Sequence, residues 1–277
     1  VINLSAGQTA SMQSTTRSQA DVDSQGYNAS LYLSALLSRG HDFVIVQSAG
    51  NGNASGQSVD SIYNGLYSSI TQENCYVTSN VSADDILDRI IIVGAAQNDG
   101  SNTYSQTPWS NAGDRVDICA PGNNIYSTVP GGFSGKYDYM SGTSMAAPVV
   151  TGVASLVWAA NSDLTGADVK TIVCDEKNTT YAVGDNPTAS HPLTNTYRMV
   201  NANLAVQAAI QYTNAKTEGE FEESDVLDGA VSFNNHWYRV IQDSSISNWE
   251  EAQQYCADRN GYLATITSQE ENDFLYN

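Results

Sequence analysis

The sequence predicts an α/β fold built on a parallel sheet, followed by a shorter segment of different texture. Three observations predict it. Up to residue 212, short runs rich in Val and Ile alternate with helix-like stretches. Those runs are near-continuous in apolar residues, which is the pattern of strands covered on both faces. After Tyr212 the chain turns acidic, with Glu218, Glu220, Glu222, Glu223, Asp225 and Asp228 against Lys216 alone. That composition marks a solvated linker and so a domain boundary. The division is 1–212, a linker at 213–229, and 230–277.

The strands are predicted at 1–4, 43–47, 90–95 and 116–120. Between the first two, a helix is predicted over 30–39, with Ser30 as N-cap and Gly40 to stop it. Strand, helix, strand implies a right-handed crossover and parallel pairing. The polar stretch 8–25 reads as a surface excursion. A helix over 144–160 carries Met145, Val149, Val150, Val153, Leu156, Val157 and Ala160 on one stripe, with Pro148 in its first turn. Helical stretches at 164–174 and 199–212 complete the first domain. The tail is aromatic and holds an amphipathic helix at 248–260.

Composition narrows the function. The 277 residues include 11 Lys plus Arg against 30 Asp plus Glu, a formal charge of −19. Polyanion binding needs Lys and Arg on one face, so nucleic acid is excluded as a partner. The longest apolar runs are broken by Ser or Gly, which predicts no membrane-spanning helix. The cysteines, Cys75, Cys119, Cys174 and Cys256, show no zinc spacing and allow three pairings. Cys119 lies in an apolar run and reads as a buried free thiol. The acidic, Lys-poor composition points to a secreted or cell-surface protein. The strand-like opening at Val1 and the uncapped helical stretch at 270–277 read as a fragment cut at both ends.

The chemistry centres on Ser141-Gly142-Thr143-Ser144-Met145-Ala146-Ala147-Pro148. A serine in the first turn of a buried helix sits at the positive end of the helix dipole, among backbone N–H groups with no intrahelical partner. A nucleophile elbow needs Gly where Ala146 stands, and a Ser-x-x-Lys motif needs Lys where Ala147 stands. Both fail. The octet, continued by Val149-Val150-Thr151-Gly152-Val153-Ala154, resembles the nucleophile block of the subtilisin-like serine peptidases. By that resemblance Ser144 is the nucleophile of an acyl-enzyme mechanism, preceded by Thr143 in the substrate-binding turn. Val44-Ile45-Val46-Gln47-Ser48-Ala49-Gly50-Asn51 resembles the family's strand ending in the oxyanion asparagine, here Asn51. Val1-Ile2-Asn3-Leu4-Ser5-Ala6-Gly7 resembles the strand whose end binds substrate backbone, so Ser5, Ala6 and Gly7 are expected to do so. Ser48, Ala49 and Gly50 are expected to line an uncharged pocket for the residue before the cleaved bond. A three-layer parallel-sheet fold follows, with its N-terminal part missing.

The sequence departs from the family at the other two members of the triad. His41, His191 and His236 are the three histidines, and none is followed by Gly. The resemblance places the catalytic Asp and His before Val1. In the tail, Trp249, Ala252, Cys256, Gly261, Leu263, Ala264, Ile266, Ser268, Glu270 and Glu271 resemble the opening of C-type lectin-like domains, an α+β fold incomplete here. No ligand residue carries over.

The expected function is therefore a secreted serine endopeptidase, inactive as this fragment, acting on protein or peptide substrates. A lectin-like module would target it to a carbohydrate or protein ligand. No cofactor is expected for the chemistry; a structural calcium stays open. The alternative is an adhesin or binding protein on a pseudo-peptidase scaffold.

Overall fold

The computed structural model describes residues 1–9, 18–129, 136–184, 197–212, 230–233, 236–244, 246–257, 264 and 274–275. It divides into two units, Val1–Thr213 and Asn214–Asn277.

In the first unit, β1 (Ile2–Leu4), β2 (Ile45–Ser48), β3 (Ile90–Gly100) and β5 (Ile118–Pro121) form the parallel centre of a sheet. The sheet is mixed, because β4 (Thr103–Gln106) folds back antiparallel on β3. Beyond β4 lie β8 (Ala182–Gly184) and β9 (Tyr197–Arg198). β6 (Ile125–Thr128) and β7 (Tyr137–Met140) form a separate hairpin.

The Val/Ile runs are apolar throughout because both faces are covered. Val46, Ile91, Val93 and Ile118 face α3 (Thr143–Ala160), α4 (Gly166–Cys174) and α5 (Ala202–Gln211) in one cluster. The alternate residues Ile45, Ile90, Ile92 and Cys119 face Leu33, Ile70 and Ile86 in the other. These strand residues are essentially solvent-free, and each fully buried Ile contributes about 1.5–3 kcal/mol over exposure. β1 is the exception: it is the sheet edge, and Val1 and Ile2 are 41% and 48% exposed.

Two helix expectations need correction. α1 runs Gln19–Leu37, so Ser30 lies in its middle, fully buried, and residues 19–25 of the supposed surface excursion are helix. The N-cap is Ser18, in a capping box with Asp21. Its inward residues are Val22, Gly26, Ser30, Leu33 and Ser34, too polar to read as an apolar stripe. At Gly26 a Cβ would collide with the Asn74 amide and the Ser69 carbonyl. Small residues there let the helix approach the loop. Gly40 does stop the helix, at φ 76°, with the His41 N–H donating to Leu36 O at 3.1 Å.

α3 begins at Thr143, which puts Pro148 in the second turn, not the first. A proline there has no N–H for the Ser144 carbonyl four residues back. The Ser5 hydroxyl donates to that carbonyl instead, at 2.9 Å. α3 is also, among the described residues, the one 18-residue helix whose length and mean hydropathy of 1.4 pass the test for a membrane span, which is weak evidence for one. Ala146, Ala147, Val150, Val153, Ala154 and Val157 pack into the core instead.

The second unit holds an antiparallel pair, β10 (Val231–Phe233) and β11 (His236–Tyr238), and the helix α6 (Trp249–Ala257). The remainder of the predicted helix, 258–260, lies outside the described residues. Asn248 Oδ1 accepts from the Glu251 N–H at 2.9 Å, as an N-cap does.

Candidate active site

Parallel strands bring their carboxyl ends to one edge of a sheet, and crevices form there. β1 runs out into Ser5, Ala6 and Gly7, and β2 into Ala49, Gly50 and Asn51. The start of α3 comes against both exits. Together Ser5, Ala6, Gly7, Gln8, Ser48, Gly50, Asn51, Gly52, Asn64, Thr143 and Ser144 line a cleft of about 350 Å³.

Thr143 fixes the geometry. Its N–H and its hydroxyl both donate to Asn51 Oδ1, at 2.8 and 2.9 Å, and its hydroxyl oxygen accepts from the Gly50 N–H at 3.1 Å. A backbone N–H can only donate, so Asn51 must present its oxygen to Thr143 and its Nδ2 away from it. Nδ2 lies close by Gly142, 3.4 Å from where a Cβ would stand. The Ser144 N–H, in the first turn of α3, has no intrahelical acceptor. The Ser144 nitrogen lies 3.6 Å from that same point, so the two donors stand close together at the start of α3. The Ser144 hydroxyl makes one long bond, 3.4 Å to Ser5 O.

Sequence reasoning placed Ser144, Asn51, Thr143, Ser5, Ala6, Gly7, Ser48 and Gly50 together, and they line one cleft. Ala49 does not: it is fully buried in the cluster beneath the sheet with Ile45 and Ile92. Strand alternation turns its methyl away from the Ser48 and Gly50 side. Two supporting asparagines were not among the expected site residues, although Asn111 opens Asn111-Ala112-Gly113, which resembles a strand end of the family. Asn64 Nδ2 donates to Ser48 O at 2.7 Å, and its amide occupies the space a Cβ on Gly7 would need. Asn111 donates to Ala49 O at 3.0 Å and accepts from the Gly52 and Val59 N–H groups at 3.0 and 3.2 Å. Both sit in Asn/Ser/Gly-rich turns, where composition gives no sign that they are 1% exposed.

Among the described residues, no imidazole or carboxylate lines the cleft. His41 precedes β2 while Asn51 follows it, so the strand's length separates them. His236 belongs to the second unit and His191 lies outside the described residues. Among the described residues, no group of three or more His, Cys, Asp and Glu could hold a metal ion. Described Cys75, Cys119, Cys174 and Cys256 are all free thiols, with Cys119 buried as expected.

Comparison with known proteins adds the following. The Lectin C-type domain profile matches residues 245–277. Subtilisin-like protease 10 of Arthroderma benhamiae is 43% identical over 98 residues, 35% of this chain and 18% of that protein. Subtilisin E of Bacillus subtilis is 40% identical over 80 residues, 29% of this chain and 19% of that protein. The chain thus spans about a fifth of the length of these relatives. A solved chain of the subtilase cytotoxin SubAB superposes with a TM-score of 0.50 at 23% identity, covering 79% of this chain and 61% of that one, a likeness of fold. The Subtilase family profile matches residues 1–197, most of the first unit, and the chain belongs to that family.

Proposed function

We propose that the chain carries the nucleophile half of a serine endopeptidase. One arrangement supports this above all: Asn51 is locked onto Thr143, and its Nδ2 and the Ser144 N–H stand close together at the start of α3, in the turn that carries the Ser144 hydroxyl. Attack by Ser144 Oγ on a scissile carbonyl forms the C–O bond of an acyl-enzyme and develops negative charge on the carbonyl oxygen. The two donors stabilise that charge. Breakage of the C–N bond releases an amine, which takes the proton that left Ser144 by way of a general base. The acyl side of an extended polypeptide lies along Ser5, Ala6 and Gly7, gaining main-chain hydrogen bonds as an added strand does. Ser48 and Gly50 leave room for an uncharged side chain before the cleaved bond. The chemistry uses no cofactor.

Among the described residues the cleft holds no base, so we assign the catalytic His and Asp to parts of the natural protein outside residues 1–277. Residues 1–277 alone then retain only the weak catalysis of the oxyanion donors. The lectin-like segment recruits a carbohydrate or protein ligand outside the cell. In the natural protein containing these residues, a fluorophosphonate is expected to label Ser144, and Ser144→Ala to abolish labelling. Labelling at another residue would overturn the assignment. The lack of an imidazole among the described cleft residues also favours a second reading, a binding protein on a dead peptidase scaffold. It requires that Ser144 stay unlabelled in the natural protein while peptide binding persists.

A further inference from the structure

The chain contains five Asn-x-Ser/Thr tripeptides, at Asn3, Asn28, Asn53, Asn80 and Asn178. Asn186 is followed by Pro and does not count. Such a tripeptide is the acceptor sequence for N-linked glycosylation of a secreted protein. Transfer precedes folding, so the fold decides which asparagine can keep a glycan in the native chain. The glycan sits on Nδ2, and that atom must face water.

Three of the five turn Nδ2 onto the protein. Asn3 donates to Ser5 Oγ at 3.1 Å, Asn53 to Gln57 Oε1 at 3.3 Å and Asn178 to Ile172 O at 2.9 Å. The Asn3 amide also accepts from the Thr151 hydroxyl at 2.9 Å. That of Asn53 accepts from the Ser55 and Gln57 N–H groups at 3.0 and 3.1 Å. Asn28 is exposed on α1, but its tripeptide lies inside the helix. Ser30 is fully buried there, donating to Tyr27 O at 2.9 Å and accepting from the Tyr76 N–H at 2.7 Å. A helix forms locally within about a microsecond, so α1 competes with any enzyme that must hold Asn28 and Ser30 in an open turn.

Asn80 differs on every count. With Ser79 it forms the tip of a tight turn between Thr78 and Val81, which pair antiparallel. The Thr78 N–H donates to Val81 O at 2.9 Å, and the Asn80 N–H to Thr78 Oγ1 at 3.3 Å. Thr78, Ser79, Asn80 and Ser82 are all exposed. The Asn80 side chain makes no hydrogen bond among the described residues. Val81 is buried in the core and anchors the turn, and Ser82 caps α2 (Ala83–Leu87). A substituent on Asn80 therefore extends into water without displacing a packed atom.

We propose that Asn80 is the acceptor of an N-linked glycan. It rests on the extracellular reading above, because only a chain entering a secretory membrane meets the donor, an oligosaccharide carried on a lipid pyrophosphate. Asn80 Nδ2 attacks the first sugar carbon, and the N–C bond forms as the bond from that carbon to the pyrophosphate oxygen breaks. The lipid pyrophosphate leaves with the electron pair. The amide nitrogen gives up one of its two protons to a base of the transferring enzyme. Ser82 offers its hydroxyl for recognition in the unfolded chain and turns it to the cap on folding, where it accepts from the Asp85 N–H at 3.1 Å.

To test this, the natural protein is secreted from yeast behind an added leader and digested with peptide N-glycosidase in heavy-oxygen water. Each glycan-bearing Asn becomes an isotope-labelled Asp. Mass spectrometry should find the label at Asn80 in most chains and at Asn178 in few. Asn80→Gln should remove one glycan step from the gel mobility. Ser82→Thr keeps both the acceptor hydroxyl and the cap on α2, and should retain that step. Asn80 unlabelled, or a mobility unchanged by Asn80→Gln, would overturn the proposal. The yeast route is imposed, so its result is independent of where the natural protein resides. Fractionation of the source cells reads that separately: protein retained inside them would overturn the extracellular reading and leave the acceptor assignment to the yeast result.

Discussion

The two units differ in how much each can hold in place. The first closes a sheet between two apolar clusters and sets polar atoms on its edge within hydrogen-bond distance of one another. The described part of the second has strands of three residues, a helix of nine, and Trp249 62% exposed. A two-stranded pair and a helix that short are marginal in water by themselves. The lesson is that the cleft draws its geometry from burial beneath it. Asn64 and Asn111 grip the exits of β1 and β2 only because the core fixes the strands those exits belong to.

If that is right, the largest effect belongs to the cleft and is indifferent to the tail. In the natural protein, Asn51→Ala should lower kcat about 100-fold or more with little change in KM. This is the size established for an oxyanion donor within this same family. Deleting 213–277 should leave that factor unaltered. A pure KM effect would move Asn51 to ground-state binding, and a factor that depends on the tail would break the contrast between the units.

Stability should show the same asymmetry at a smaller scale. Ile92→Ala empties space in a fully buried site and should cost about 2–5 kcal/mol in urea unfolding. Trp249→Ala should leave the main transition within about 0.5 kcal/mol. An isolated 230–277 peptide should show no slow, cooperative hydrogen exchange, since its lone Cys256 cannot staple it. Slow protection across it would mean the tail is a complete small domain.

The smallest effect is in pH, where the units should weaken at opposite ends of the scale. Burial pushes the Cys119 thiol up to about 12 from an ordinary 9.0. The neutral thiol is the form the core holds, so its contribution is full below about pH 9 and is lost as pH rises toward 12. Tyr212 is also pushed up to about 12, by burial and by donating to Asp168 at 2.6 Å. Cys119→Ala should flatten alkaline unfolding of the first unit between these limits, with Tyr212→Phe as the parallel control. In the tail, the N–H and hydroxyl of Ser247 hold Glu251 below the usual glutamate range. The start of α6 should therefore fray as pH falls, read by circular dichroism, and be untouched in the alkaline window.

How far the sequence carries depends on which atoms do the holding. α3 was legible because its inward face is apolar at helical spacing, and β2, β3 and β5 because both their faces are. α1 was half hidden because its inward face is Gly26, Ser30 and Ser34, chosen for close approach and not for hydrophobicity. Asn51 and Ser144 stood out through a family's motifs. Asn64 belongs to no local pattern, and Asn111 only to a strand-end resemblance that carries no role: each acts on a residue that only the fold brings near. Pro148 was placed a turn early because a cap such as Gly142, which makes no side-chain bond, leaves no mark of where α3 starts.

The hydroxyl of Ser5 on the Ser144 carbonyl also has a kinetic meaning. It joins residues 139 apart in sequence, and closing a loop of that length comes at an entropic cost that local contacts do not repay. Helix α3 can form, and its apolar stripe can find the sheet, before β1 is seated. Ser144 is then held in register only when the edge strand arrives. On the peptidase reading, a chain part-way through folding is expected to carry Ser144 unaligned, which would spare it and its neighbours from premature cleavage.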